Sequence, residues 1–282
     1  MTGTPLRHVE HVMGTVFSFD IRDAGSGARR DAVQGALRRA VDRLHRIDEL
    51  FSPYREDSQI SRLDRGELAL DACAPEVDRV LRACAEAARE TGGWFSDRPA
   101  GRLDPCGYVK GWSVEEASRL LREAGSVRHS ISGGGDVQTV GGPAPEQPWR
   151  IGIAHPLQPG MLTAVVAGQD IAVATSGTAE RGAHILDPHT GRPATALASL
   201  TVVGAGITRA DVWATAGFAM GPDCLTRIEA VDGLDALAVL PDGSRRWTSG
   251  FPAYVAASRP APDPADWRSA LPALSPPGRQ AP

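Results

Sequence analysis

The stretch Asp104-Pro-Cys-Gly-Tyr-Val-Lys-Gly-Trp-Ser-Val-Glu-Glu-Ala-Ser-Arg-Leu-Leu-Arg-Glu-Ala-Gly125 decides how the chain is read. Its first eight residues carry a carboxylate, two glycines and a lysine. The remainder has the pattern of a helix: Ser113 and Glu116 have capping-box spacing, Val114, Ala117, Leu120 and Leu121 form an apolar stripe, and Gly125 closes it. A helix is therefore expected after Gly111. Downstream the period changes from helical to alternating. Strands are expected over 127–132, 149–154, 163–168, 170–175 and 199–203, with others near 236–240 and 246–249 and one helix near 209–220. Upstream, residues 12–21 read as a strand. Val33, Leu37, Val41, Leu44 and Ile47 mark a helix over 29–50, and Pro75 opens another that Gly92-Gly93 ends. Helices and strands come in runs without a regular βαβ repeat, which argues for an α+β fold.

Composition narrows the classes of function. The 282 residues carry a net charge of -4 and are 42% apolar, enough for a sizeable core. Acids and bases are interspersed, with no basic patch, so nucleic acid is not the expected partner. No window is long and apolar enough for a membrane span. The N-terminus lacks a charged region followed by an apolar run, and four scattered cysteines show no CxxC spacing. A cytoplasmic location is the expectation. From Arg259 the chain is rich in Pro, Ala and Ser, so a domain over 1–258 and a disordered tail over 259–282 are expected. Of 30 basic residues only Lys110 is lysine. A lysine is a compact point charge where arginine is a flat fork, so a site needing the former would explain its presence.

Four segments offer chemistry. Asp104 to Gly111 has the makings of an anion site: glycine-permitted backbone N–H groups, the Lys110 charge, and Asp104, which suits a metal, a ribose hydroxyl or a ring nitrogen. An ordinary turn with a surface lysine accounts for it equally. Ser132-Gly-Gly-Gly-Asp136 ends a strand and reads as a tight turn or a close ligand approach. In Ala174-Thr-Ser-Gly177 and the run from His184 to Pro193, hydroxyl and backbone donors suit phosphate. His184 suits a general base, with His189 a nearby competitor. Asp211 and Thr215, at i and i+4, share a helix face and offer hard oxygens to Mg²⁺; Asp211 also fits the helix dipole alone.

Taken in order, these segments resemble the ApbE family of FAD:protein FMN transferases. The resemblance is carried by Met13-Gly-Thr15, Phe51-Ser-Pro-Tyr54 with Ser58-Gln-Ile-Ser61, Asp104 to Gly111, Gly133 to Asp136, Ala174 to Gly177, His184 to Gly191, and Ala210-Asp211 to Thr215. It covers roughly residues 12 to 222. The resemblance implies a fold of mostly antiparallel sheets flanked by helices. It implies that FAD is a substrate, split at its pyrophosphate. The FMN half passes to a Thr or Ser hydroxyl of an acceptor flavoprotein, and AMP leaves. It implies that Asp211, Thr215 and the Gly107 carbonyl hold Mg²⁺, that Met13, Tyr54, Asp104, Lys110 and Ile185 contact FAD, and that Trp94-Phe95-Ser96 touch the nucleotide. His184 is the implied base, with Lys110 and Asp104 the other catalytic residues. Cys106 stands where the family commonly has glycine, and the Ser96–Arg102 loop is shorter than usual. A Mg²⁺-dependent FAD pyrophosphatase and a non-catalytic FAD-binding protein are the alternatives.

Overall fold

The computed structural model describes residues 4–179, 182 and 184–256; the expected tail over 259–282 lies outside them. Strands β1 (Leu6–Val12) and β2 (Thr15–Ile21) form a hairpin paired from Leu6↔Ile21 to Val12↔Thr15. The single strand expected over 12–21 is thus a turn followed by β2. Met13 and Gly14 both have positive φ, 55° and 63°, the backbone a two-residue hairpin loop requires. Helices α1 (Gly27–Phe51), α2 (Gln59–Asp64) and α3 (Pro75–Glu90) follow, then α4 (Cys106–Glu123). Strands β3 (His129–Gly133) and β4 (Asp136–Val140) form a second hairpin, with Gly134 and Gly135 at φ 59° and 91°. The triple glycine is therefore a tight turn, and its Gly134 N–H donates to the Val16 carbonyl at 3.1 Å, setting the two hairpin loops side by side.

The chain continues through β5 (Trp149–Ala154), β6 (Leu162–Gly168), β7 (Ala172–Gly177), β8 (Ser199–Gly204), α5 (Ile207–Met220), α6 (Cys224–Glu229), β9 (Asp235–Val239) and β10 (Arg245–Trp247). Eight strands make one sheet in the order β1-β2-β3-β4-β7-β8-β9-β10, every pairing antiparallel, while β5 and β6 form a separate antiparallel pair. The fold is α+β, as the mixture of runs implied.

Strand alternation divides the core. Ala172, Ala174, Leu200, Val202, Ala236 and Ala238 face the helical layer and pack with Leu44, Val114, Leu121, Trp213 and Phe218. Val173, Val203 and Leu237 face the other way, under Ile153 and Val166 of the β5–β6 pair. The small side chains of β7 and β9 on the helical side let α5 lie close to the sheet.

Helix α4 starts at Cys106, five residues before the expected boundary. Ser113 is consequently no cap. It is buried inside the helix, and its Oγ donates to the Lys110 carbonyl at 2.7 Å. The glycines of the motif serve helix packing. A Cβ on Gly107 would lie 3.5 Å from Thr215 Cγ2, and one on Gly111 would lie 2.9 Å from the Ile207 carbonyl and 3.0 Å from Asp211 Cβ. One turn forward on α4 matches one turn back on α5, so the helices run antiparallel in close contact. The far end of α4 is fixed by a buried polar chain. The Ser126 hydroxyl donates to Asp23 at 2.8 Å, so it accepts from His129 Nδ1–H at 3.0 Å, and His129 Nε2 accepts from the Ser118 hydroxyl at 2.9 Å.

Candidate active site

The close packing of α4 on α5 places two acids and one base in a buried corner. Asp211 is 2% exposed and Asp136, the first residue of β4, is 1% exposed. Lys110 Nζ lies between them, donating to Asp211 Oδ1 at 3.1 Å and to Asp136 Oδ2. The other Asp211 oxygen accepts the Gly111 N–H at 3.0 Å, and the other Asp136 oxygen accepts the Thr175 N–H at 3.0 Å. Burial holds the Asp211 carboxyl above the ordinary carboxylate value, opposed only in part by the Lys110 charge and by the hydrogen bonds from Lys110 and Gly111. Two carboxyl groups face one lysine in this corner.

Thr215 lies one turn beyond Asp211 on α5, with its hydroxyl 3.4 Å from the Ser176 hydroxyl of β7 and its side chain against Gly107. The Asp211 carboxyl and the Thr215 hydroxyl are hard oxygen donors of the kind that fit a hard cation. Among the described residues no group of three or more His, Cys, Asp or Glu could cage a metal. Magnesium uses one or two carboxylates and fills its shell with water and phosphate oxygens. The Mg²⁺ set named from the sequence, Gly107, Asp211 and Thr215, is therefore gathered in one place and has fitting chemistry.

The corner opens into a cavity of about 430 Å³, within the range of small-molecule sites. The other residues that the family resemblance assigned to the site line this cavity as well: Met13, Tyr54, Trp94, Phe95, Ser96, Asp104, Lys110, His184 and Ile185. They come from different levels of it. Phe95 is buried, Asp104 half-buried, and Tyr54 85% exposed at the mouth. Met13 reaches the wall because the hairpin turn holds it in the left-handed region, which costs a non-glycine residue energy and marks a position worth functional attention. Asp104 Oδ1 accepts the Cys106 N–H at 3.0 Å, a local turn that leads directly into α4.

His184 and His189 have different surroundings. His184 Nδ1 lies 3.1 Å from the Gly182 carbonyl, which can only accept, so Nδ1 carries the proton and Nε2 the lone pair. His189 is set edge-on against Trp94, their ring centroids 4.5 Å apart, and supports that wall from behind. Two contributions were under-read in the sequence. Asp136 had the look of a turn acid, and only the β4–β7 pairing reveals that it is buried against Lys110. Residues 151–156, on and just after β5, line the cavity consecutively, and no motif marked them.

A profile of the ApbE family matches residues 13–97 and 96–238. The FAD:protein FMN transferase of Rhodobacter capsulatus is 34% identical over 158 residues, which are 53% of this chain and 30% of that protein. The FAD:protein FMN transferase of Salmonella typhimurium is 28% identical over 165 residues, 54% of this chain and 47% of that one. The chain thus spans less than half the length of either curated relative. The crystal structure of the ApbE protein of Thermotoga maritima superposes with a TM-score of 0.78 at 21% identity, covering 90% of this chain and all of that one. The flavin transferase ApbE of Vibrio cholerae gives 0.76 at 21% identity, covering 89% of this chain and 99% of that one. These structural likenesses establish the fold.

Proposed function

The chain belongs to the ApbE family, and from that premise we propose that it is a Mg²⁺-dependent FAD:protein FMN transferase, moving the FMN half of FAD onto a Thr or Ser hydroxyl of an acceptor protein with release of AMP. The observation that carries this reading is the cluster of Asp136, Lys110 and Asp211, with Lys110 and Asp211 on the wall of a cavity whose outer walls carry aromatic side chains. A dinucleotide has matching parts: flat apolar rings and a pyrophosphate that needs positive charge beside it.

The reaction breaks a phosphoanhydride bond and forms a phosphate ester. The acceptor hydroxyl oxygen attacks the phosphorus of the FMN half, and the bond to the bridging oxygen breaks. AMP takes that oxygen and its electron pair, and the hydroxyl proton leaves to a base. His184 Nε2, with its lone pair fixed by the Nδ1 contact to Gly182, is the base. Lys110, anchored by two carboxylates, holds its ammonium beside the pyrophosphate, where charge accumulates on the leaving oxygen. A magnesium ion held by Asp211, Thr215 and the Gly107 carbonyl would supply further charge neutralisation there. Asp104, its geometry set by the Cys106 N–H, and Met13, Ser96 and Ile185 orient the nucleotide along the wall. Trp94, Phe95 and Tyr54 supply flat apolar surface, and His184 stands near the entrance, where a protein acceptor can reach it.

The test uses FAD, Mg²⁺ and a library of peptides with one central Thr, followed by a denaturing gel read by flavin fluorescence and by AMP measurement. Fluorescent peptide with matching AMP is expected. Free FMN and AMP without labelled peptide would make the protein a pyrophosphatase, and unchanged FAD retained on the protein would make it a binder.

A further inference from the structure

The β5–β6 pair sits over the sheet with two different edges. On the β6 edge, Val166 bridges Val255, and the Val165 carbonyl accepts the Ala256 N–H at 2.8 Å. That edge is covered. On the β5 edge, no strand is paired among the described residues. The register determines what this open edge presents. Gly152 lies opposite Val165. Opposed residues in an antiparallel pair alternate between exchanging both hydrogen bonds and exchanging none. The Val165 carbonyl is turned away from β5, so Gly152 and Val165 are a non-bonded pair. The N–H and C=O of Gly152 therefore point outward, and two residues away Arg150 points the same way, while Ile151 and Ile153 bond to β6.

The open edge lines the cavity. Residues 151–154 of the strand, followed by His155 and Pro156, all border it. A strand that offered a face would contribute alternate residues; consecutive residues mean that the backbone edge itself borders the space. Gly152 is exposed, and on the covered side Ile153 is packed into the core with Val173 and Val203. The edge is thus rigid, carries a side-chain-free position, and shares its cavity with His184.

We infer that the open edge of β5, centred on Gly152, is the docking site for the acceptor polypeptide, which adds as an extended strand and so presents its Ser or Thr to the cavity. This inference rests on the transferase reading. The ligand class follows from the edge: outward N–H and C=O groups at every second residue are matched by the main chain of an extended peptide. A dinucleotide cannot supply that repeat. Such recognition reads backbone first, leaving sequence preference to the side chains flanking the hydroxyl.

Proline tests the edge, because it removes the outward N–H of Gly152 without touching a ladder bond to β6, and an edge position of this kind tolerates proline. Gly152→Ala is the control, since both substitutions add a Cβ, which would meet only the exposed Leu162 side chain at 3.1 Å. With Thr-centred peptides that the wild type labels, Gly152→Pro is expected to lower kcat/KM for peptide at least tenfold relative to Gly152→Ala, through KM. A second measurement uses the wild type alone. N-methylation scanned along a labelled peptide should weaken labelling at every second position. Equal labelling by the two variants, or an N-methyl scan without alternation, would overturn the inference and leave the transferase reading standing. A loss of labelling that tracks dissociation of a dimer would assign the edge to a second copy of the chain and overturn it as well. A wild-type protein that labels no peptide would overturn the transferase reading and this inference with it.

Discussion

The two ends of α4 each bury an ionisable side chain network, and they are built to opposite ends. At the C-terminal end the chain from Ser118 through His129 and Ser126 to Asp23 is satisfied link by link, with each donor facing an acceptor. His129 is fully buried, and burial lowers its pKa to about 4, so the ring is neutral at physiological pH. Asp23 has its own cation in Arg29 at 3.2 Å. Nothing there lines the cavity. At the N-terminal end Lys110 faces two buried carboxyl groups, and Lys110 and Asp211 themselves border the cavity. Burial of polar groups does not by itself mark function. A buried ionisable cluster that opens onto a ligand-sized cavity does, because its charged groups can meet something that binds.

Substitutions at each end sharpen this contrast. The largest effect is expected at Asp211. Asp211→Ala removes a proposed metal ligand and one anchor of Lys110, and FAD turnover in Mg²⁺ should fall on the order of 10²–10³-fold, the usual cost of losing one charge-stabilising group. Undiminished turnover would remove the corner from the mechanism. His184→Ala should slow peptide labelling about 10²-fold, the lower range for a lost general base. The comparison with Asp211→Ala is informative because release of FMN to water should persist in the His184 variant and fail in the Asp211 variant, as read by chromatography of the flavins.

The opposite end of α4 should respond to pH and leave chemistry alone. His129 is depressed below the ordinary histidine value, so between about pH 6.5 and pH 4 the unfolded chain binds a proton that the folded chain excludes. Its contribution to stability is complete above that window and is lost as pH falls through it. Urea titrations of wild type and His129→Gln should therefore converge by about 2–3 kcal/mol between pH 7 and pH 4.5. Parallel curves would show that the buried ring is not the group responsible. Gly111→Ala should have the smallest effect on stability, about 1–3 kcal/mol from overpacking, because its Cβ would press on the Ile207 backbone. It should also lower turnover by displacing Asp211, whereas an unchanged melting temperature would mean that α5 has room to move.

Much of this was legible before the structure. Periodicity and β-residue content placed α1, α3, α5 and the seven strands β3 and β5 to β10 closely. Patterning missed β1 and β4. Strand β4 carries Gln138 and Thr139 buried among polar partners, and so lacks an apolar alternation. The start of α4 was missed for another reason. Gly107 and Gly111 read as loop residues by propensity, and tertiary contact with α5 overrides that preference by rewarding the absence of a side chain. Gly107, Asp211 and Thr215 were nameable as a set from the family resemblance, but the physical basis of the set, two helices in antiparallel register, lies in contacts between residues about 100 positions apart. Asp136 and the β5 edge had no local signal, since one depends on strand order and the other on which edge is left open.

The central claim is that the corner between α4 and α5 seats a magnesium ion and the pyrophosphate together. Calorimetric titration of Mg²⁺ into the protein loaded with FAD tests it most directly, run beside Asp211→Ala and Thr215→Val. Saturable binding is expected in the wild type, weakened at least tenfold by either substitution. Equal Mg²⁺ affinity in all three proteins would contradict it.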